Sequence, residues 1–380
     1  MDFELSDERR MLMETATRFI SDSYDLAARH AGTAADDGFS RDMWQQFAEL
    51  GLIGALLPAE VGGYGGAGQD IAVVFEALGR GLVMEPFLAT GILGAHAIVG
   101  AGSGAQQAVL DDVIAGKVLL ALAHGEPDSR YEIAHVGTTA VRDGAQWRLN
   151  GAKSVVMNGD TADRLVVSAR VSGAVSDQDG LALFLVDAKT TGLARRGSST
   201  IDGGRVAELS LTDVVVPEDA LLGEPGTAYP LIEGTLARGA LALSAEAIGI
   251  MDTAKDLTLD YLKTRTQFGR PIGSFQVLQH RMVDVALEIE QARSLVMLAA
   301  SQLTADRVAR ERAISAAKNL VGRVGRLVSE ETIQMHGGIA MTWEYALGHY
   351  AKRLTMIDHQ LGDTDFHLAR FIALGGEASP

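Results

Sequence analysis

The apolar residues of this chain change their period twice, and that change limits the fold more than any other feature. From residue 1 to about 115 they recur every three or four positions, the spacing of helices with one buried face. Ser6, followed by Asp7 and Glu8 and then by Leu12, Ala16, Phe19 and Ile20, reads as a capped helix start; Ser40 begins another that Gly51 closes. Between about 116 and 222 short β-rich runs take over: LLALAHG, HVGTTAV, QWRLNG, KSVVMNG, RLVVSARV, LALFLVD and AELSLTDVVV. Asp143-Gly144, Asn150-Gly151, Asn158-Gly159 and Asp179-Gly180 separate them, and such dipeptides favour tight hairpins. From about 228 the helical spacing returns, with long stretches at 231–262, 277–305 and 307–335 and a packing stripe of Ile314, Ala317, Val321, Val324 and Val328. The expectation is an α+β chain of three domains. They are an N-terminal helical domain (1–115), a middle antiparallel β-barrel or sandwich (116–225) and a C-terminal four-helix bundle (226–380).

Composition removes several function classes. A formal net charge of −16 argues against nucleic acid as a partner, because phosphate neutralisation needs a basic face. With no cysteine, thiolate nucleophiles, disulfides and Cys-ligated metals or clusters are excluded. The glycine-rich stretch PAEVGGYGGAG (58–68) is not followed by G-K-[ST], so it reads as a surface connector and not a phosphate loop. No G-x-G-x-x-G follows a strand, which leaves a nicotinamide Rossmann site without support. The most apolar stretch, 82–102, is broken by Glu85, Pro86 and His96, short of the ~20 apolar residues of a membrane span. The acidic, helix-patterned N-terminus is not that of a signal peptide. The expectation is a cytoplasmic protein with no membrane partner.

Three segments, taken in order, resemble the acyl-CoA dehydrogenase family. They are the opening F-x-L-S-x-E-x-x-x-L with GLIGALLPAEVGGYGG, then YLKTRTQFGRPIGSFQVLQHRMVD (261–284), then IQMHGGIAMTWEY (333–345). In the second, Arg265, Phe268, Gly269, Ile272, Phe275 and Gln276 keep the family's Arg-x-x-Phe-Gly-x-x-Ile-x-x-Phe-Gln spacing; in the third, Ala340 stands in the last Gly place of Gln-x-x-Gly-Gly-x-Gly. The resemblance implies FAD as cofactor, with Arg265 on the pyrophosphate, where a planar, always-charged fork suits two phosphates. It implies that Gln267, Phe268, Ile272 and Phe275 form a polar and packing surface beside it, and that Gln334, Gly337 and Gly338 allow close backbone approach. It further implies that these two segments meet across a dimer. The β domain would lie over the flavin ring. There Val155 and Met157 replace the family's aromatic residue and Thr, and Gly125 of HGEP replaces a Thr. The flavin would then be met by backbone N–H groups in place of hydroxyls.

Dehydrogenation of an acyl-CoA needs a carboxylate for the α-proton and hydrogen bonds for the thioester oxygen. In the resembled family that carboxylate lies in a loop before the last helix, here DHQLGDTDFHLARF (358–371). Counting back from Arg370 places Asp363 on the base position; counting from Thr364 places Gly362 there. The alternative helix position reads Gly239 and is empty. Glu246 reads as a buried acid with a basic partner, and Glu233 as a solvated acid near a helix start. Asp358, His359, Asp365 and His367 crowd the same loop as Asp363 without metal-ligand spacing. The whole set most resembles the small-subunit branch of pimeloyl-CoA and bacterial steroid side-chain dehydrogenases. That resemblance implies an acyl-CoA substrate, an electron-transferring flavoprotein as acceptor, and a homodimer, homotetramer or α2β2 tetramer with a homologous subunit. Two functions follow: a dehydrogenase in its own right, or a non-catalytic or half-site subunit of such a heterotetramer.

Overall fold

The computed structural model describes residues 5–377; the first residues of the opening motif lie outside them. The helices are α1 (Asp7–Ser23), α2 (Leu26–Ala34), α3 (Arg41–Glu49), α4 (Gly68–Gly81), α5 (Ala95–Ala101), α6 (Gly104–Gln107), α7 (Val109–Ile114), α8 (Tyr229–Thr264), α9 (Gln276–Gln302), α10 (Arg307–His336), α11 (Leu347–His359) and α12 (Thr364–Glu377). Ser6 and Ser40 cap α1 and α3 as the sequence predicts, accepting from Arg9 and Met43 N–H. The apolar stretch 82–102 folds as a π-helical segment, Phe87–Gly94, followed by α5. No helix among the described residues is long and apolar enough to cross a membrane.

Two compact units divide the chain. One comprises Ala31–Gly66 and Met84–Gly239. Its centre is a sheet in the order β6-β7-β3-β2-β4-β5-β8, with β1 beside β4. The strands are β1 (Leu120–Ala123), β2 (Thr139–Asp143), β3 (Gln146–Met157), β4 (Arg164–Arg170), β5 (Leu181–Asp187), β6 (Leu193–Ser199), β7 (Arg205–Pro217) and β8 (Leu221–Leu222). The pairing is mainly antiparallel, but β1 and β2 each run parallel to β4. One face buries Trp147, Leu149, Val167, Phe184 and Leu209, with Trp147 edge-on to Phe184 at 5.5 Å.

Two sequence expectations change here. Asn150-Gly151 is not a hairpin turn: it lies inside the twelve-residue β3, at a register shift against β7. A bulge absorbs the glycine, so two predicted runs are one strand. Strand β6 (LARRGSS) was not predicted because it is mostly exposed and polar, and only its ladder to β7 makes it a strand.

The other unit comprises Met1–His30, Ala67–Val83 and Ala240–Pro380. Helix α10 packs against α9, α11 and α12, and the stripe from Ile314 to Val328 is buried. Helices α4, α8 and α9 are tied by ions: Asp252 on α8 accepts from Arg80 (2.6 Å) and Arg293 (2.7 Å), and Glu76 accepts from both arginines at 3.0 Å. Burial alone would raise the Asp252 carboxyl, but Arg293, Lys255 and Arg80 hold it below the usual carboxylate range. Helices α4 and α8 also cross closely. A Cβ on Gly249 would strike the Glu76 carbonyl oxygen, and one on Gly79 the Glu246 carbonyl oxygen. Gly249→Ala must therefore push the α4 and α8 backbones away from each other. We expect it to lower stability by about 2 kcal/mol, the range of overpacked cores, read as a lower urea midpoint.

Candidate functional site

In the helical unit the chain leaves α8 at Thr264 and makes a two-residue-stranded hairpin, β9 (Thr266–Gln267) and β10 (Arg270–Pro271), before α9. The tip is Phe268-Gly269, with φ of 53° and 76°. Left-handed backbone at both tip positions is the type I′ geometry that normally selects Asn or Gly. A phenylalanine there is strained by about 1–2 kcal/mol, yet Phe268 is 91% exposed, with Phe275 edge-on to its ring at 6.2 Å. Arg270 lies over the Phe275 ring at 4.2 Å. Ile272 turns inward and packs on Leu262, Met282 and Met335, so it seats the hairpin.

The segment from Gln334 to Gly338 lies beside the root of that hairpin within one chain. Tyr261 stacks on His336 at 4.5 Å, and Leu262 and Met335 share an apolar cluster. One protomer therefore already joins these two segments, and contact across a dimer would add to that junction. Helix α10 ends on Gly337 at φ 69°, ψ −147°, which a side chain would strain. Gly338 has no such conformation, and a Cβ on it would meet nothing within 4 Å. No internal contact requires a glycine at 338. Arg265, Gln267 and Gln334 are exposed, and their side chains make no hydrogen bond or ion pair among the described residues. A free guanidinium, two free amides, an outward aromatic ring and an uncrowded glycine turn fit an anionic dinucleotide such as FAD.

Gly125 and Met157 belong to the β unit. The Gly125 carbonyl accepts from Ser154 N–H at 2.8 Å, and Met157 ends β3 opposite Val206. Between them β3 bulges: Val155 sits at φ 53°, exposed, with its N–H on Glu208 at 3.2 Å. A β-branched residue in that conformation is a genuine outlier, and it falls where the resemblance puts the flavin. Sequence reasoning did not find what holds this place. Lys153, wholly buried, donates to Glu126 (2.7 Å), Ser168 (3.0 Å) and the His124 carbonyl (3.3 Å). Burial pushes Lys153 down to about 8 against the opposing pull of Glu126, and pushes His124 down to about 3. Burial would raise Glu126, but Lys153 and the N–H groups of Thr138 and Gly137 hold it below the usual range.

Asp363 precedes α12 and caps it, its Oδ1 accepting from Phe366 N–H at 2.8 Å. Oδ2 makes no bond among the described residues, and the side chain is half-buried. The loop before it is strained, with Leu361 at φ 57° and Gly362 at φ 107°. A Cβ on Gly362 would crowd Phe366 and His367. Lys318 pins this loop: fully buried on α10, it donates to the carbonyls of Ile357 (2.7 Å), Gly362 (2.8 Å) and Asp358 (3.1 Å). Burial pushes its ammonium down to about 7, with Asp358 and Asp363 acting the other way. His367 donates to the Leu361 carbonyl at 3.0 Å, and burial holds it down to about 3. The one sequence signal for Lys318 was its place beside the apolar stripe.

Glu246 has the basic partner expected of it, Arg353, bound through both oxygens at 2.6 and 2.7 Å. Glu233 corrects an expectation: it is 1% exposed, not solvated, because it lies on a stretch of α8 that is buried from Ile232 to Thr235. Asp358 accepts from Thr364 at 2.7 Å. No group of acidic or histidine side chains among the described residues is arranged to hold a metal.

Residues 6–117, 121–214 and 229–372 match the N-terminal, middle and C-terminal domains of acyl-CoA dehydrogenases, respectively. The chain is 32% identical over 349 residues to the acyl-CoA dehydrogenase IpdE2 of Mycobacterium tuberculosis, covering 91% of each. It is 30% identical over 353 residues to the probable acyl-CoA dehydrogenase YngJ of Bacillus subtilis, covering 91% of this chain and 92% of that one. Among solved structures it is similar to the Tcur3481-Tcur3483 steroid ACAD, with 31% identity, a TM-score of 0.87 and 98% of this chain on 99% of the other. The chain belongs to the acyl-CoA dehydrogenase family. It is an FAD-dependent oxidoreductase, as that membership entails.

Two measurements follow from this geometry. Arg265→Met removes an exposed charge without touching the core, so FAD affinity is expected to fall about tenfold or more, the worth of a charge-assisted bond, while the apoprotein melts as before. For Lys318 the folded-state value of about 7 lies below the ordinary 10.5. The unfolded chain therefore binds more protons between those limits, and this group makes stability rise with pH across that window. Lys318→Met cannot titrate, and urea unfolding from pH 7 to 10 should show a shallower rise than the wild type.

Proposed function

We propose that this chain carries out FAD-dependent α,β-dehydrogenation of an acyl-CoA thioester and passes the electrons to an electron-transferring flavoprotein. The three-domain division at about 115 and 225 and a cytoplasmic location belong to the same reading. In it, Arg265, Gln267 and Phe268 hold the dinucleotide with Gln334, Gly337 and Gly338. Ile272 and Phe275 support the hairpin, and Gly125 and Met157 face the ring. When bound, FAD would supply the acceptor for the hydride that leaves the substrate β-carbon. Asp363 takes the α-proton on its carboxylate, so that two C–H bonds are lost and one C=C bond forms. Aspartate is one methylene shorter than the glutamate usual in the family, so its reach to the α-carbon is shorter by about 1.5 Å.

The observation that carries this reading is the state of Asp363. One oxygen is occupied by the helix N-terminus and the other has no bond among the described residues, in a loop pinned by Lys318 and His367. A preorganised carboxylate with one free oxygen is what proton abstraction needs. The same capping bond favours a second reading, in which Asp363 only ends a helix and the chain is a non-catalytic or half-site subunit of an α2β2 dehydrogenase.

Asp363→Asn separates the two, because asparagine caps a helix as well as aspartate does but takes no proton. Purified protein should show a flavin absorption band that bleaches anaerobically with one of a panel of acyl-CoAs. In Asp363→Asn the band should persist and bleach about a thousandfold more slowly, within the usual worth of a general base. A colourless chain, or a flavin that no acyl-CoA reduces, would move the assignment to the subunit reading.

A further inference from the structure

His336 stands between the two cofactor segments of the helical unit and has no role in the reading above. Its Nδ1 lies 2.9 Å from the Thr332 carbonyl and its Nε2 3.0 Å from the Tyr345 hydroxyl. A carbonyl only accepts, so Nδ1 carries the proton and donates to it. In the neutral ring Nε2 then accepts from the Tyr345 O–H. The tautomer is thus set by the helix that His336 ends. Burial holds this imidazole below its ordinary value, and burial raises the Tyr345 hydroxyl. Near neutral pH the tyrosine is therefore the donor and the histidine the acceptor.

The ring also links three pieces of chain. On one side it stacks on Tyr261, at 4.5 Å and 23° between planes. The Tyr261 carbonyl in turn accepts the Arg265 N–H at 2.8 Å. Next to His336 in sequence is Gly337, and Tyr345 lies beyond the Gly337–Met341 turn, just before α11. His336 and Tyr345 therefore close that turn from both ends, while Tyr261 joins it to the start of the Arg265 hairpin. None of the three side chains is exposed as Arg265, Gln334 and Gly338 are; His336 is buried and the tyrosines half-buried.

We propose that His336 is a positioning residue for FAD, whose bond to Tyr345 and stack on Tyr261 hold the Gly337–Gly338 turn at a fixed distance from Arg265. A dinucleotide held by Arg265 on one side and by the glycine turn on the other needs both at once. If the turn drifts from the hairpin, the ligand must supply the ordering free energy itself, and affinity falls. This rests on the cofactor reading of Arg265 and Gly338, and it predicts that the His336–Tyr345 pair acts as one unit.

The test is a titration of apoprotein with FAD, followed by flavin fluorescence, together with the melting temperature of each apoprotein. The variants are His336→Phe, Tyr345→Phe, the double variant and His336→Gln. Phenylalanine keeps a ring on Tyr261 but accepts no bond, whereas glutamine presents an oxygen near the Nε2 position. His336→Phe and Tyr345→Phe should each raise the FAD Kd about fivefold, the worth of one neutral hydrogen bond, and the double variant no further, because both remove the same bond. His336→Gln should fall between the wild type and His336→Phe, since it keeps an acceptor for Tyr345 but gives up the stack on Tyr261. The apoproteins should melt alike. Unchanged FAD affinity in His336→Phe would overturn the inference alone. So would additive losses of about 25-fold in the double variant, which denote two independent contacts, or a loss of affinity that only parallels a loss of apoprotein stability. A wild-type chain that takes up no FAD would overturn the cofactor reading and this inference with it.

Discussion

The helical unit is organised around a buried carboxylate. Asp252 sits in the C-terminal half of α8 and takes two guanidinium groups, Arg80 from α4 and Arg293 from α9, which Glu76 also shares. A carboxylate without these partners would be too costly to bury. The network therefore admits only one register of three helices, and the glycine crossings of α4 and α8 allow the close approach it needs. Everything at the C-terminal end of α8, from Tyr261 through Arg265 to the Phe268 tip, is placed by a helix that cannot slide or rotate.

Two buried lysines apply the same rule elsewhere in the chain. Lys153 and Lys318 have no exposure, and each has three oxygen acceptors. A lysine amine in that setting acts as a rivet, since moving the acceptors away leaves a buried donor unsatisfied. Each rivet sits under a strained segment: Lys153 beside the Val155 bulge, and Lys318 beneath Leu361 and Gly362. Strained backbone persists only where its surroundings overdetermine it. The hairpin tip at Phe268 shows the same strain without a rivet of its own, and depends on the Ile272 anchor and the Asp252-held helix.

The site is therefore built from few exposed groups on heavily constrained supports. Arg265, Gln267, Phe268, Gln334 and Gly338 make little contact with their own chain. Their positions are set by neighbours that a ligand would not touch, such as His336, Met335 and Leu262. That division of labour lets exposed residues keep their bonding capacity for a ligand while buried ones absorb the cost of order.

Much of this was legible in the amino-acid order, because the signals concerned are local. Period decided which stretches are helices, the serine caps decided where α1 and α3 begin, and the Arg265 and Gln334 motifs carried the resemblance to the family to which the chain belongs. The stripe from Ile314 to Val328 is buried as its spacing required, and Glu246 found a basic partner because an acid on an apolar helix must. The rest was decided by tertiary structure. Asn150-Gly151 is a bulge because β7 pairs on both sides of it, although the dipeptide itself suits a turn. Strand β6 exists only through its partner, and Glu233 is buried because other parts of the chain pack over that stretch of its helix. Lys153, Lys318 and His336 look like ordinary surface residues in the sequence. What makes them structural is three oxygens, or one ring and one hydroxyl, brought in from elsewhere, and such convergence has no local signature because hydrogen bonding and desolvation depend on what surrounds a group in space.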